Sequence, residues 1–429
     1  MNTTPKSMRL QIGLFGRTNV GKSSFLNMVA GQDVALTSPV PGTTTDVVEK
    51  AMELLPVGPV MFLDTGGVDD ISVLSELRLM RTAKVFDRAD VVVLVTEPEV
   101  WGASEEMIVA ESERRSIPLV VVINKTDRMT PSDAFLARLS ASGSPVIACS
   151  SQDTGSRDLY VSAFKDALLK VCPEDFLRTP KIVGDLVPPG GVVVMIVPID
   201  LEAPKGRLIL PQVQTLRDAL DASTVAVVVK ETEYARALDL LNRPPDLVVC
   251  DSQVVDRMVA ETPAGVACTT FSILFARFKG DIVEEAKGAA AVARLRSGDR
   301  VLIAESCSHH AMEDDIGRVK IPRWLRRYTG FPVDISVCSG RDYPANLADY
   351  ALVIHCGACM LTRREMLVRI EQAGARGVPI TNYGLCISFL HGVLDRVLSP
   401  FPDALEAFHR ELNLSPKRQE VLHGSPLSD

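Results

Sequence analysis

Leu10-Gln-Ile-Gly-Leu-Phe15-Gly16-Arg-Thr-Asn-Val-Gly21-Lys22-Ser23-Ser24 is the stretch that decides the fold. Leu10–Phe15 is an apolar run bounded by a glycine turn, which reads as a buried strand, and the residues after Gly21 read as a helix. Between them stands Gly-x-x-x-x-Gly-Lys-Ser, the Walker A pattern in the strand-to-helix context that its mechanism needs. Its glycines let backbone N–H groups wrap phosphate oxygens, Lys22 brings a point charge to them, and the Ser23 hydroxyl is a ligand for Mg²⁺. A chance glycine-rich turn would have neither flank. Gly16, Asn19, Val20, Gly21, Lys22, Ser23 and Ser24 are therefore expected to contact nucleotide.

Three further motifs follow in order. Asp64-Thr-Gly-Gly67 succeeds an apolar run, so Asp64 is expected to hold Mg²⁺ through water and the Gly67 amide to sense a γ-phosphate. Asn124-Lys125-Thr126-Asp127 ends another run. The Asp127 carboxylate can accept both N–H donors of a guanine edge, which adenine does not offer. Cys149-Ser150-Ser151 is placed to meet the guanine oxygen with its backbone. The Thr-rich Pro41-Gly42-Thr43-Thr44-Thr45-Asp46 is a switch candidate whose hydroxyl could close on Mg²⁺, although a polar turn would look the same. Together these predict binding of GTP or GDP with Mg²⁺ and GTP hydrolysis, with Lys22, Thr44 and Gly67 in catalytic roles. Val68 stands where a water-orienting Gln would follow Asp-x-x-Gly, so unassisted hydrolysis is expected to be slow.

Outward from this site, short apolar runs alternate with helical stretches, the rhythm of a parallel sheet. The expected strands are Leu10–Phe15, Val60–Asp64, Val91–Val95, Leu119–Asn124 and Pro145–Ala148. Pro and Gly then cluster from Cys172 to Gly191, a linker signal. A second α/β unit is expected with strands Gly191–Ile199, Thr224–Val229, Asp246–Cys250 and Gly265–Thr269. A third begins with a helix over Gly280–Leu295 and continues with strands Arg300–Ala304, Val333–Val337, Tyr350–Ile354 and Pro379–Asn382. The predicted class is thus α/β, a P-loop GTPase domain followed by two smaller α/β domains, divided at 1–174, 175–271 and 272–429.

The chain has 429 residues, a net charge of −8 and 46% hydrophobic residues, an ordinary globular composition without a basic footprint for nucleic acid. Its apolar runs are too short to span a bilayer and no signal peptide is visible, so a cytoplasmic protein without a membrane partner is expected. In that compartment the nine cysteines should be thiols or metal ligands.

The GTPase motifs resemble the TrmE–Era–EngA family over about residues 8–172. That resemblance implies Thr44 as the switch ligand to Mg²⁺, and Asn19 as a residue that helps hold K⁺ beside the phosphates.

Near the end, Cys307-Ser-His309 follows one expected strand and His355-Cys356-Gly-Ala-Cys359 follows another. In a parallel layer both loops emerge at the C-terminal edge, where sites gather. Four readings compete: buried small residues, structural zinc, a redox Cys-x-x-Cys, and a [4Fe–4S] cluster on three thiolates. The residues alone do not separate zinc from iron–sulfur. With the middle segment Ala203–Gln212, however, this pattern resembles the HydF family, GTPases that mature [FeFe]-hydrogenase, over essentially the whole chain. The resemblance implies GTPase, dimerisation and cluster-binding domains, with Cys307, Cys356 and Cys359 as cluster ligands. His309, His355 and Glu305 are then candidates for the fourth position, and a solvated strand end is the bland account of Glu305. It further implies a homodimeric scaffold that receives and delivers a diiron precursor, with two radical-SAM maturases and the apo-hydrogenase as partners. The competing reading is an RNA-modification or ribosome-assembly GTPase with a zinc module.

The other features read as structural. Cys149, Cys172, Cys250, Cys268, Cys338 and Cys386 sit in apolar surroundings, and Arg323–Tyr328 reads as an amphipathic helix. Arg363-Arg364 reads as solvated, His310 as a bystander, and His391, His409 and His423 as lacking companions.

Overall fold

A parallel strand covered on both faces needs apolar side chains at successive positions, and Val91–Val95 shows what that selects. All five side chains are buried: Val91, Val93 and Val95 join one apolar layer, Val92 and Leu94 the other. The computed structural model describes residues 4–31, 48–64, 75–173, 176, 180–199, 208–306, 315–340, 342–357 and 359–414. The chain divides into two compact units, Met1–Thr179 and Pro180–Asp429.

In the first unit six strands, β1 (Leu10–Phe15), β2 (Val48–Leu54), β3 (Gly58–Asp64), β4 (Val91–Thr96), β5 (Leu119–Ile123) and β6 (Val146–Ala148), form one sheet. Its order is β2-β3-β1-β4-β5-β6. All pairs are parallel except β2 on β3. The order steps one way from β1 to β3 and the other way to β4, so the crevice beyond the end of β1 is a topological switch point. The expected strands are all present. β2 is an addition: it is an edge strand of mixed charge, Val-Glu-Lys-Ala-Met-Glu-Leu, which the search for buried parallel runs passed over.

The second unit holds two parallel four-stranded sheets. One has β7 (Val192–Ile196), β8 (Val225–Val229), β9 (Leu247–Cys250) and β10 (Ala267–Thr270) in the order β10-β9-β7-β8. The other has β11 (Arg300–Glu305), β12 (Asp334–Ser339), β13 (Leu352–His355) and β14 (Ile380–Asn382) in the order β12-β11-β13-β14. A single apolar cluster runs through both sheets, from Val193 and Val248 to Ile303 and Ile354. The helix Phe271–Lys279 starts directly after β10, where the Thr270 hydroxyl caps the Ile273 amide. The expected Gly280–Leu295 helix is observed as Ile282–Ala291, capped by Asp281. Its small side chains let it lie close on β14, and a Cβ on Gly288 would strike the Ile380 carbonyl.

No helix among the described residues is long and apolar enough to cross a membrane.

Candidate functional sites at two strand edges

At the first edge, β1 ends in Phe15 and the backbone turns through Gly16 (φ 140°) to Gly21 (φ 94°) before the helix Lys22–Ala30. A Cβ at Gly16 would collide with the Val95 carbonyl, and one at Gly21 with Asn124 Nδ2, so both positions require glycine. The loop is thus fitted between β4 and the Asn124 motif. Lys22 is buried, and its ammonium donates to the Gly16 and Arg17 carbonyls at 2.9 and 2.8 Å. The loop therefore already holds a cation where phosphate oxygens would arrive. Asp64 ends β3 opposite Leu14 of β1, beside the loop. Arg17 is turned outward onto the buried Glu105 by two bonds of 2.7 and 2.6 Å, which anchors the loop's outer wall.

Asn124, Asp127, Ser150 and Ser151 lie together at the ends of β5 and β6. Asn124 donates through Nδ2 to the Val20 carbonyl (2.9 Å) and accepts from the Ser151 amide (3.0 Å) and hydroxyl (2.8 Å). It thereby ties the phosphate loop to the Ser150-Ser151 turn. Ser150 donates to Asp127 Oδ1 at 2.6 Å, fixing the carboxylate. The Lys125 ammonium bonds the Asn19 carbonyl and Glu97. Pro41–Asp46, with Thr44, lies outside the described residues, as do Gly67 and Val68.

At the second edge, β11 and β13 are neighbours, with Ala304 opposite His355. The Ser306 amide donates to Cys356 Sγ at 3.2 Å, and the Ser306 hydroxyl lies 3.4 Å from that sulfur. Amide-to-sulfur bonding of this kind suits a thiolate that ligates a metal. Cys356 and Cys359 are half-buried free thiols. Cys307, His309 and His310 lie outside the described residues, and among the described residues no three Cys, His, Asp or Glu side chains gather as a metal group.

The remaining candidates are held by specific partners. Glu305 is buried, not solvated: its carboxylate receives Arg318 (2.7 Å) and the Ser339 hydroxyl (3.2 Å). His355 is buried, and its Nδ1 lies 2.6 Å from the Cys356 carbonyl, so that nitrogen carries the proton and donates. Its Nε2 faces Glu285 Oε1 at 3.3 Å. Glu285 is fully buried and was not singled out from sequence, although a carboxylate in line with Ala289 and Val292 was the available signal. Lys279 was missed in the same way. It is buried, and it donates to the Cys359 and Leu361 carbonyls at 3.1 and 2.9 Å. Burial pulls its ammonium down to about 8, opposed by the nearby Cys359, Glu365 and Cys356. Burial also raises the Cys359 thiol, with Cys356 adding to the rise and Lys279 opposing it.

Several structural readings need correction. Arg363 is not simply solvated, since it donates to the Phe278 and Gly280 carbonyls at the end of the helix carrying Lys279. His391 pairs with Asp256 and packs edge-on against Trp324, and His409 pairs with Asp395. The cysteine reading holds: Cys338, half-buried on the edge strand β12, packs against the apolar cluster around Leu302 and Val353, and Cys149, Cys172, Cys250, Cys268 and Cys386 are buried. His423 lies outside the described residues.

Comparison with known proteins separates the two units. Residues 11–125 match the 50S ribosome-binding GTPase family, so the first unit is a P-loop GTPase domain. Residues 182–280 match the hydrogen maturase F dimerization domain, and residues 283–400 the hydrogen maturase F tetramerization domain. These last two matches together span more than half of the chain. The chain belongs to the hydrogen maturase F family. Its curated relatives include the tRNA modification GTPase MnmE of Nitrosospira multiformis, 35% identical over 35% of this chain and 31% of that protein. MnmE of Synechococcus sp. (strain JA-3-3Ab) is 41% identical over 29% of this chain and 27% of that protein. The chain thus spans less than a third of the length of these relatives. Among solved structures, an Era variant of Aquifex aeolicus is 19% identical, with 54% of this chain and 98% of that chain covered and a TM-score of 0.32.

Proposed function

We propose that this protein is a GTP-hydrolysing scaffold of [FeFe]-hydrogenase maturation. On this reading it holds a [4Fe–4S] cluster on Cys307, Cys356 and Cys359, and receives and delivers a diiron precursor of the hydrogenase active site. The observation that carries it is the bond from the Ser306 amide to Cys356 Sγ across the β11 and β13 ends, within a family of hydrogen maturases. That contact sets the residue before Cys307 against Cys356. A bound cluster would offer an iron position open to an incoming group. The chain's own part is to supply thiolates, a hydrogen-bonded sulfur and, in Lys279, a neighbouring positive charge.

In the first unit, Lys22 and the loop amides would neutralise the phosphates, Ser23, Thr44 and Asp64 would hold Mg²⁺, and Asp127 would select guanine. Asn19 would serve K⁺. With Val68 in the water-orienting position, turnover is slow until a cation or partner assists, which suits a switch. The division 1–174, 175–271 and 272–429 corresponds on this reading to GTPase, dimerisation and cluster-binding domains. The exposed Val225 and Val228 on β8, the edge of its sheet, support a homodimer, and the family's dimerization and tetramerization domains support oligomers. The two radical-SAM maturases and the apo-hydrogenase are the proposed partners. A tRNA-directed role draws support only from relatives matched over about a third of this chain.

Anaerobic reconstitution with iron and sulfide, followed by EPR of the reduced protein, tests the proposal. A cluster signal lost in Cys307→Ala, Cys356→Ala and Cys359→Ala is expected. Stoichiometric zinc without that signal would replace the scaffold with a GTPase bearing a structural metal module.

A further inference from the structure

Arg369 lies on the helix Arg363–Gly374, in line with Met366, Ile370 and Ala373, and is only 3% exposed. Its guanidinium sits over the Tyr343 ring, 4.5 Å from the centroid, and Nη1 donates to Ser306 Oγ at 3.2 Å. One side chain, Ser306, therefore separates it from the Cys356 sulfur. Nε and Nη2 are shut off from solvent and have no hydrogen-bond partner among the described residues.

A guanidinium keeps its charge at any pH a protein meets. Buried without a counter-charge, it is costly unless something else supplies one. Among the described residues none of the nearby buried carboxylates bonds it: Glu305 is paired with Arg318, Glu365 accepts the Thr362 amide, and Glu285, itself without a hydrogen bond, lies 3.3 Å from His355 Nε2. Nε–H and Nη2–H share one edge of the planar group and run parallel, the arrangement that takes two acceptor atoms side by side. Lys279, bonded to the Cys359 carbonyl, brings a second buried cation to the same loop.

We propose that Arg369 makes the Cys356 loop an anion-binding site: its Nε/Nη2 edge receives a small carboxylate-like anion beside the Cys356 sulfur. This deepens the scaffold reading by assigning a charge to what arrives next to the thiols, and only the identity of the natural anion rests on that reading. The anion site itself stands on Arg369 and needs no cluster.

The test uses the metal-free full chain and two thiol reagents of similar size, anionic iodoacetate and neutral iodoacetamide, with alkylation of Cys356 read by mass spectrometry. Both reagents need the same thiolate, so the ratio of their rates reports attraction of the carboxylate and cancels changes in thiol acidity or access. Arg369→Gln should lower the iodoacetate-to-iodoacetamide ratio at least about tenfold, the loss expected for a charge-assisted hydrogen bond. Arg369→Lys should fall between. In the unsubstituted protein, formate should slow iodoacetate and leave iodoacetamide unaffected, a result that does not depend on any variant folding. An unchanged ratio in Arg369→Gln, or no protection by formate, overturns the anion site. Parallel reconstitution with iron and sulfide separates the two readings. A cluster with no charge preference sinks the anion site alone, and a charge preference with no cluster sinks the metal reading alone.

Discussion

The end of β1 and the paired ends of β11 and β13 are both C-terminal edges of parallel strands, yet their polar groups stand in opposite states. At the first, the cation is satisfied by the protein itself: Lys22 rests on the Gly16 and Arg17 carbonyls. At the second, among the described residues, Arg369 keeps two buried donors without a hydrogen-bond partner and Glu285 a buried carboxylate without a hydrogen bond. A phosphate loop can wait in a relaxed form because its ligand exchanges one set of oxygens for another. The second edge thus holds buried polar groups of both signs whose hydrogen-bonding capacity the described residues leave unused, a feature that marks candidate sites.

This contrast can be broken from the nucleotide side. Lys22→Ala should lower GTP turnover on the order of a hundredfold or more, by removing a preorganised cation from the transferring phosphoryl group. Its metal content after reconstitution should match the unsubstituted protein, and a parallel loss of metal would show that the two edges are one site. Asp127→Asn should weaken GTP about a hundredfold, since two charge-assisted hydrogen bonds are lost. Xanthosine triphosphate, which presents a carbonyl where guanine has an amino group, should gain in the same titration. Ser150→Ala sharpens the picture with a smaller effect. It removes the 2.6 Å bond that orients Asp127, and GTP affinity should fall about three- to tenfold, measured by calorimetry.

What could be read from sequence followed from contiguity. Gly16–Ser24 and Asn124–Asp127 carry their chemistry in consecutive residues, so their partners could be named before any fold was known. The core strands were legible because parallel sheets covered on both faces demand unbroken apolar runs. β2 was not, because an antiparallel edge tolerates Glu49, Lys50 and Glu53. Lys279, Glu285 and Arg369 were hidden for a different reason. Each is a charged residue on a largely apolar buried helical face, from three helices that only the fold brings to the Cys356 loop. Their spacing marked them as buried, and what they meet depends on where β13 ends.

The central claim is that one chain joins a GTP switch to a metal-bearing strand edge in hydrogenase maturation. Hydrogen evolution tests it most directly, in cells that express an [FeFe]-hydrogenase and both radical-SAM maturases and have this chain as their sole scaffold protein. The account predicts evolution with the unsubstituted chain, and its loss with Cys356→Ala although that variant still hydrolyses GTP. Full hydrogenase activity with Cys356→Ala would contradict it.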